Sequence, residues 1–328
     1  MKQRGYRYYS TCGTKLQKRG LTAAGTQRWY CQTCSQSLVK PRPDLSRSFV
    51  FANFISWLLG KAAQTELSGS DRTFRDQTAW CWQVPAPSVL SGEVHYGLII
   101  DGIRVGSQVC LVARTTDYVV AWHWAASESS VSWLELLSTL PPPHYIVCDG
   151  QKGMLKALAL CWPDTIVQRC RFHVWLNVRK KLTLHPEARA SQELLSLARK
   201  LLQVQTKRQA RRWKRQLKHW YRKHRVFIAE RSYKLDPKPR ERTWRYTHER
   251  LRSAYRQLHK QTDDVLRSSY RPNPALPATT NYIEGGINSQ IRTLLKYHRG
   301  MPNQHQKVLV NWYLYSRTEQ PKPPRNCL

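Results

Sequence analysis

Acidic residues are scarce in this chain of 328 residues, which has 21 Asp and Glu against 54 Lys and Arg and a formal net charge of +33. A chain with so much charge of one sign repels itself, so we expect an anionic partner to compensate it. Nucleic acid is the usual partner of this kind, because each neutralised phosphate releases a counterion. An RNA-binding scaffold and a membrane-surface protein are the alternatives that charge alone leaves open.

Long hydrophobic runs are also lacking. No apolar stretch approaches the roughly 18 residues of a membrane-spanning helix, and the basic N-terminus has no apolar segment behind it, unlike a signal peptide. In a chain without an export signal, the nine cysteines are expected to hold metal more often than to form disulfides. The sequence therefore predicts a cytoplasmic protein.

The sequence has no internal repeat and no low-complexity tract beyond its basic bias, but its composition changes along the chain. Prolines mark two of the boundaries, at Pro41 and Pro43 and again at Pro85 and Pro87. The predicted segments are a Cys- and Gly-rich part (1–45), a helical part (46–88), a part that alternates strand-like and helix-like runs (95–173), a long basic helical part (174–275) and a final mixed part (279–318).

The alternating part predicts a sheet. Three short runs rich in Val, Ile and Tyr, at 95–103, 108–113 and 118–124, are separated by turn residues. A helix (127–140), a strand (145–148), a second helix (152–161) and a last strand (165–168) are predicted to follow. Three antiparallel strands followed by two strand–helix units match an RNase H-like arrangement. The predicted fold class is therefore α/β, with an RNase H-like core of the retroviral-integrase type that a helical insertion interrupts.

Because acids are few, their positions are informative. Asp101 is predicted to end the first strand and Asp149 the fourth, and each is followed by a glycine that lets the backbone turn. If these strands are neighbours, the two carboxylates project from adjacent strand ends. Glu284 lies near the start of a predicted helix. Three carboxylates suit two Mg²⁺ ions acting on a phosphodiester. The alternatives are that each Asp-Gly is only a turn and that Glu284 is only a helix-start acid.

Four stretches of the sequence carry a family resemblance: Asp101-Gly102, 148–153, 168–173 and 280–288. In them the chain resembles the Mutator-type insertion-sequence transposases, in particular a bacterial branch with an N-terminal zinc-ribbon-like segment. The resemblance extends over most of the chain. It implies that Asp101, Asp149 and Glu284 form a DDE site for two Mg²⁺ ions, for which Mn²⁺ can substitute, with a mostly helical insertion before the Glu.

The resemblance also implies an activity and partners. The protein would bind double-stranded DNA at the inverted-repeat ends of an insertion sequence, cleave it there and transfer the strands to target DNA. It would act in the bacterial cytoplasm, associated with the nucleoid when bound to DNA. Two DNA ends must be brought together, so we expect at least a homodimer on DNA. One alternative is an inactive or repurposed transposase-derived DNA-binding protein, and another is an RNase H-like nuclease for RNA hybrids or junctions.

Two sets of cysteines are candidate metal ligands. The family's C-x-x-H pair is matched by Cys170 and His173, but two residues cannot complete a tetrahedral zinc site, so we favour a structural or DNA-positioning role. In the N-terminal segment, Cys12, Cys31 and Cys34 resemble the thiols of a zinc ribbon, but Tyr9 stands where a fourth thiol is expected. Either three thiolates and another ligand bind Zn²⁺, or this copy has lost the site.

Three groups of polar residues are predicted to contact DNA. In a helix-turn-helix at 50–82, a short helix (63–67) and a turn (68–70) would precede a helix that Asp71 caps; a small helical linker is the alternative. In the insertion, basic residues would form a cationic helix face that binds DNA. Trp213 and Trp220 would lie on the opposite face as core residues; the alternative is that a Trp stacks on a flipped base. The predicted DNA-binding residues are Arg72, Arg75 and Gln77 in the first group, Arg211, Arg212, Lys214 and Arg215 in the second, and Arg292, Lys296 and Arg299 past Glu284.

Overall fold

A computed structural model describes residues 14–23, 25–39, 47–62, 71–89, 92–234, 243–270 and 277–328. The chain divides into two compact units, one of residues 1–84 with 322–328 and the other of residues 85–321. Strands and helices both contribute, so the predicted α/β class is confirmed. Within the ranges given above, no helix has both the length and the apolar character needed to cross a membrane.

The first unit contains a small sheet and two helices. Strands β1 (Gln17–Leu21), β2 (Gln27–Cys31) and β3 (Gln36–Val39) pair antiparallel in that order. Helices α1 (Arg47–Leu58) and α2 (Asp71–Thr78) follow, with a 3₁₀ turn at Ala79–Gln83. Phe51, Phe54 and Leu58 are fully buried, and the Phe54 ring meets the Trp82 ring edge-on at 4.7 Å. The Trp57 ring of α1 also meets the Phe74 ring of α2 edge-on at 5.2 Å, so an aromatic core joins the two helices and the turn.

The second unit is organised around a five-stranded sheet. Its strands are β4 (Gly97–Val105), β5 (Gln108–Arg114), β6 (Val119–Ala125), β7 (Tyr145–Cys148) and β8 (Ile166–Arg169), in the order β6-β5-β4-β7-β8. The first three pair antiparallel, and β7 and β8 run parallel to β4. Strand residues alternate between two faces. One face packs Leu98, Ile100 and Ile146 against α3 (Ser130–Leu137) and α4 (Lys152–Cys161).

The end of β4 differs from its predicted position. The sequence predicts that Asp101 ends its strand, but β4 continues to Val105. The reason is that β5 pairs with β4 along this whole stretch, as far as Val105 opposite Gln108, and Gly106 closes the hairpin with a φ of 57°. The parallel neighbour β7 does end, at Cys148. Asp101 therefore lies inside a long strand, beside the point where the shorter strand stops.

The insertion after β8 is mainly helical and has a hydrophobic core of its own. It also contains a two-stranded antiparallel ribbon that the sequence analysis missed. Its elements are α5 (Arg171–Leu182), α6 (Arg189–Lys200), α7 (Lys207–His224), β9 (Arg231–Tyr233), β10 (Trp244–Tyr246), α8 (Glu249–Lys260) and α9 (Thr262–Tyr270), with 3₁₀ turns at Leu201–Gln203 and Phe227–Ala229.

Two buried side chains join the insertion to the sheet edge. Gln168, on β8, donates to the Val265 carbonyl at 2.9 Å and accepts from the Ser268 N–H at 2.9 Å. Arg171, at the start of α5, donates to the Val265 carbonyl at 2.9 Å and to the Ser269 hydroxyl at 2.6 Å. Buried polar groups are costly unless they are hydrogen-bonded, so these contacts fix where α9 lies against the sheet.

The chain returns to the sheet after the insertion. A π-helix (Tyr282–Asn288) leads into α10 (Ser289–Tyr297), and α11 (Asn303–Tyr315) follows. The π-helix packs against β4, and α11 packs against β4 and β6. The Asn311 side-chain oxygen accepts hydrogen bonds from the indole N–H groups of Trp122 and Trp124, at 3.0 and 2.7 Å. These contacts hold the last helical segment on the sheet.

Candidate active site

Asp101 and Asp149 lie at the same level of two adjacent parallel strands. Ile99 on β4 is paired with Val147 on β7. Asp101 comes two residues after Ile99, and Asp149 comes two residues after Val147. Asp101 is 8% exposed, and its carboxylate accepts from the Gly102 N–H at 3.0 Å. Asp149 is half-buried and accepts from the Gln151 N–H at 2.8 Å. Strand register thus brings together two acids that are far apart in sequence.

Gly150 supports the turn that follows Asp149. Its φ is 75°, a region that glycine adopts without strain. The Arg169 side chain occupies the space where a Cβ at this position would lie, and it donates to the Asp149 carbonyl at 3.1 Å. The predicted sharp turn after this Asp is therefore present, and the space beside it is filled by an arginine of β8.

Glu284 approaches the two aspartates from the π-helix. Its carboxylate lies 3.7 Å from Nε2 of His173 and is about one-third exposed. Arg114, on β5, donates to the Tyr282 carbonyl at 2.8 Å and so fixes the start of the π-helix on the sheet. A π-helix is rare and is often found at functional sites. The third predicted acid is thus held on the side of the sheet that carries His173.

Cys170 and His173 form a linked pair beside Glu284. The N–H and hydroxyl of Thr280 donate to the Cys170 sulfur at 3.3 and 3.4 Å, and the same hydroxyl lies 3.3 Å from Nδ1 of His173. Burial favours the neutral forms of both side chains, but their mutual attraction outweighs it. The pKa of Cys170 is therefore lowered and the pKa of His173 is raised to about 9, with the charges of Asp101 and Glu284 adding to the latter. These contacts tie the start of α5 to the segment that carries Glu284.

The predicted acids influence one another's charge. Burial raises the pKa of Asp101 and His173 opposes this, and with the negative charges of Asp149 and Glu284 added the pKa is about 7. The three carboxylates therefore share one electrostatic environment. Within the described part of the chain, no three His, Cys, Asp or Glu side chains form a group that could hold a metal ion as they stand.

A fourth acid, Glu128, lies at this site and was not predicted from the sequence. It comes just before Ser129, the N-cap residue of α3. A Cβ added to Gly102 would lie 2.8 Å from the Glu128 carboxylate. Burial and the charge of Asp149 raise its pKa. In the sequence, Glu128 is indistinguishable from any acid at a helix start, and only the fold shows that it faces the residue after Asp101.

Comparison with known protein families identifies the family of this chain. Residues 102–315, more than half of the chain, match the family described as "Transposase, Mutator family". The chain belongs to this family. A curated relative, "Transposase for insertion sequence element IS6120" of Mycolicibacterium smegmatis, is 34% identical over 101 residues, which are 29% of this chain and 29% of the relative. The chain thus matches less than a third of that relative's length. The resemblance to Mutator-type insertion-sequence transposases is confirmed.

The basic residues predicted in the insertion of this Mutator-family protein fall into two classes. Arg211, Arg212 and Arg215 are exposed on α7. Lys214 differs, because its ammonium lies 2.6 Å from the Asp263 carboxylate and over the Tyr270 ring, 5.1 Å from its centroid. Lys214 therefore joins α7 to α9 in the described fold.

The insertion's tryptophans pack as predicted. Trp213 is 2% exposed and Trp220 is 4% exposed. Their indole N–H groups donate to the carbonyls of Leu197 and Ala190, at 2.9 and 3.0 Å. The core role predicted for both is confirmed, and neither ring is available to stack on a base.

Other predicted DNA-binding residues are exposed. Arg72, Arg75 and Gln77 lie on α2, where Arg72 is 3.9 Å from Asp76. Arg292 and Lys296 are exposed on α10, and Arg299 just after its end. Arg292 and Lys296 are four residues apart and therefore lie on one side of α10.

The cysteines of the N-terminal segment are described only in part. Cys31 is buried at the end of β2, and Cys34 is half-buried in the turn before β3. Cys12 and Tyr9 lie outside the described residues, as do the predicted helix at 63–67 and the turn at 68–70. A Zn²⁺ site at Cys12, Cys31 and Cys34 and the helix-turn-helix therefore stay predictions.

Proposed function

We propose that this Mutator-family chain is a DDE transposase that cleaves DNA at the inverted repeats of its insertion sequence and joins the ends to target DNA. Asp101, Asp149 and Glu284 are its catalytic acids. The observation that carries the proposal is the register of β4 and β7, which sets Asp101 level with Asp149. The strand order β6-β5-β4-β7-β8, with three antiparallel strands and then two parallel ones, supports an RNase H-like core.

The donor set suits Mg²⁺. Carboxylate oxygens are the hard ligands that Mg²⁺ prefers, and Mg²⁺ needs only a few of them because it keeps several waters. The burial and mutual repulsion that raise the pKa of Asp101 to about 7 are what a divalent cation would relieve. When bound, two such ions supply activation of the attacking oxygen and stabilisation of the leaving oxygen. Mn²⁺ has similar ligand preferences and is expected to substitute.

The protein's own residues position the third acid. His173 lies 3.7 Å from Glu284, and a raised pKa keeps its ring cationic near neutral pH. Thr280 fixes this histidine, and Arg114 fixes the start of the π-helix. These contacts hold Glu284 near His173, on whose ring the charge of Asp101 also acts, and this supports its role as the third acid.

The surfaces for DNA are the exposed basic side chains of the second unit. Arg208, Arg212, Arg215 and His219 recur at helical spacing on α7 and line one groove of about 560 Å³. Arg292 and Lys296 follow Glu284 along α10, and Arg299 lies just after its end. Basic rows of this kind bind the phosphate backbone without reading sequence. We assign end recognition to the first unit, through the helix-turn-helix that carries Arg72, Arg75 and Gln77, and we expect at least a homodimer on DNA.

The test is a nicking assay on a supercoiled plasmid that bears the element's inverted repeats, with Mg²⁺ or Mn²⁺. Asp149→Asn is expected to lower the nicking rate more than about a hundredfold, because it removes charge from the site, while DNA binding in a gel-shift assay is kept. Asp164→Asn, at an exposed position of the turn before β8, is the matched control and should nick like wild type. If the wild-type protein binds the repeats but never nicks, the chain is a repurposed DNA-binding protein instead.

A further inference from the structure

We propose that Glu128 is a fourth carboxylate of this site and holds a divalent cation together with Asp101 and Asp149. The proposal rests on the proposed function, because it assigns a further residue to the same centre. Its chemistry is that of the other three acids: a hard oxygen donor on a side chain that is neither fully buried nor fully exposed.

The Glu128 carboxylate occupies the space above Gly102. Gly102 directly follows Asp101, lies inside β4 and has no positive φ that would require glycine. A Cβ at this position would come within 2.8 Å of both Cδ and Oε1 of Glu128 and within 3.3 Å of Oε2. The absence of a side chain at Gly102 therefore lets the Glu128 carboxylate lie against the backbone that presents Asp101.

Gln151 contacts both Asp149 and Glu128. The Gln151 N–H donates to the Asp149 carboxylate at 2.8 Å. With its side-chain amide nitrogen turned towards Glu128, Gln151 also donates to Oε2 of Glu128 at 3.1 Å and to the Glu128 carbonyl at 3.2 Å. One residue therefore bridges Asp149 and Glu128, and the two carboxylates lie on the same side of the strand end.

The backbone at Glu128 is fixed by close packing against α4. A Cβ added to Gly153, in the first turn of α4, would lie 3.0 Å from the Glu128 carbonyl and 3.1 Å from the Ser130 nitrogen. The start of α4, which follows Asp149, thus packs closely on the start of α3. Glu128 is held at the site by the packing of two helices and not by a mobile loop.

Charge also separates Glu128 from an ordinary surface acid. Its carboxylate lies in the field of Asp149, with Arg104 and His173 as opposing charges. Glu135, seven residues later in α3, is instead paired with His123 at 3.0 Å and is about half exposed. Placing like charges together at a partly buried site costs free energy unless a cation joins them. A divalent ion between Glu128 and the aspartates removes that cost.

The experiment compares the full-length wild-type protein with Glu128→Gln, Glu128→Asp, Glu135→Gln and Asp149→Asn. The first measurement is Mn²⁺ binding without DNA, followed by the EPR signal of the unbound ion. The second is the nicking rate as a function of Mg²⁺ concentration. Glu128→Gln keeps the size of the side chain and an acceptor for Gln151, so it removes the charge and little else. Circular dichroism and thermal unfolding check that each variant is folded.

We expect Glu128→Gln to weaken the tightest Mn²⁺ binding by roughly tenfold or more, as loss of a residue around a metal centre does. The Mg²⁺ concentration for half-maximal nicking should rise by a similar factor. Glu128→Asp should bind Mn²⁺ with intermediate affinity, because it keeps the charge on a shorter side chain. If Glu128→Gln does not fold, the Mn²⁺ affinity of Glu128→Asp tests the proposal instead. Glu135→Gln should match wild type in both measurements.

The outcomes separate this proposal from the proposed function. Unchanged Mn²⁺ binding in Glu128→Gln, with weaker binding in Asp149→Asn, overturns the role of Glu128 alone and leaves it as a structural acceptor for Gln151. Unchanged binding in both variants overturns the metal centre and both proposals. If no protein nicks, the proposed activity fails, and the Mn²⁺ measurement still decides whether Glu128 holds a cation.

Discussion

The five-stranded sheet and the helical insertion gather charge of opposite sign by different means. At the sheet edge, the register of β4 and β7 sets Asp101 level with Asp149, and the packing of α3 on α4 adds Glu128. In the insertion, the helical period of α7 puts basic residues on one face and Trp213 and Trp220 on the other. The register of two strands thus produces a small, partly buried acidic site, whereas the helical period of α7 produces a long, exposed cationic surface.

The difference separates two contributions to function. In the proposed function, the partly buried acidic site would bind cations at the bond that is cut, whereas the exposed basic surface would bind DNA phosphates. Each region also has a hydrophobic core of its own. Changes in the insertion should therefore alter its stability or DNA affinity, and changes at the sheet edge should alter chemistry.

The largest expected effect tests whether the insertion depends on its buried aromatic face. Trp213→Ala should lower the free energy of unfolding by about 3–5 kcal/mol, because it removes a large buried side chain and leaves a cavity. It also removes the hydrogen bond to the Leu197 carbonyl. Urea denaturation followed by circular dichroism measures the loss.

The matched control is Tyr221→Ala, on the same helix. Tyr221 is 40% exposed and stacks on Tyr255, with ring centroids 4.8 Å apart, so the expected loss is about 1 kcal/mol. Similar losses for the two variants would contradict the division of α7 into a buried and an exposed face.

The next effect concerns the cationic face. A variant with Arg208→Gln, Arg212→Gln and Arg215→Gln should bind DNA more weakly, and its affinity should depend less steeply on salt. The log–log slope should fall by about 0.9 for each DNA phosphate that the variant no longer neutralises. Fluorescence anisotropy over a range of salt concentrations measures the slope. Once DNA is saturating, the nicking rate should equal that of wild type.

Lys214→Gln is the control for this surface. Because Lys214 is paired with Asp263, its loss should leave the salt slope unchanged and lower stability by less than about 1 kcal/mol. A slope that falls as much in Lys214→Gln as in a single Arg212→Gln variant would show that the ion pair opens when DNA binds.

A smaller effect tests how the site is held. Thr280 is fully buried, and Thr280→Val keeps its shape but removes the hydroxyl that meets Cys170 and His173. The expected loss of stability is about 1–2 kcal/mol, because both contacts of the hydroxyl are lost, although the Thr280 N–H still donates to Cys170. Thermal unfolding measures it, with Thr293→Val as the control, since the Thr293 hydroxyl donates to the Ser289 carbonyl one turn before it in the same helix. An equal loss in both variants would argue against a special role for Thr280.

Much of the sheet could be predicted because its signals are local. Val, Ile and Tyr clusters bounded by turn residues located β7 at its observed bounds and the other strands to within about two residues. The end of β4 could not be predicted, because the pairing of β5 sets it. The ribbon of β9 and β10 escaped detection because each strand has only three residues, too few for a visible alternation.

The site was predictable where one residue type carries the signal. Asp101 and Asp149 stood out because an acid after a run of apolar residues is conspicuous in so basic a chain. Glu128 and Lys214 did not stand out, because their roles depend on Gly102 and Asp263, which are distant in sequence. Local pattern finds which residues carry charge, but only the fold decides which charges meet.

The smallest expected effect is a pH dependence in the insertion. The Glu193 carboxylate lies 2.7 Å from Lys223, 2.7 Å from His224 and 3.1 Å from Arg189. Hydrogen bonds from Lys223 and His224 lower its pKa to about 2. Because the folded-state pKa lies below the ordinary value of 4.5, the unfolded chain binds the proton more readily. The stabilisation is therefore present above about pH 4.5 and is lost as the pH falls towards 2.

The side chain of Glu193 is about one-third exposed, so solvent screens these pairs and the whole contribution should be about 1 kcal/mol or less. Urea denaturation of wild type and Glu193→Gln between pH 3 and pH 7 measures it. The difference between the two proteins should be largest near pH 6 and should shrink towards pH 3, whereas Glu319→Gln, at an exposed position, should show little difference at any pH. A difference that stays constant or grows on acidification would mean that Glu193 stabilises α6 and α7 by packing and not by its charge.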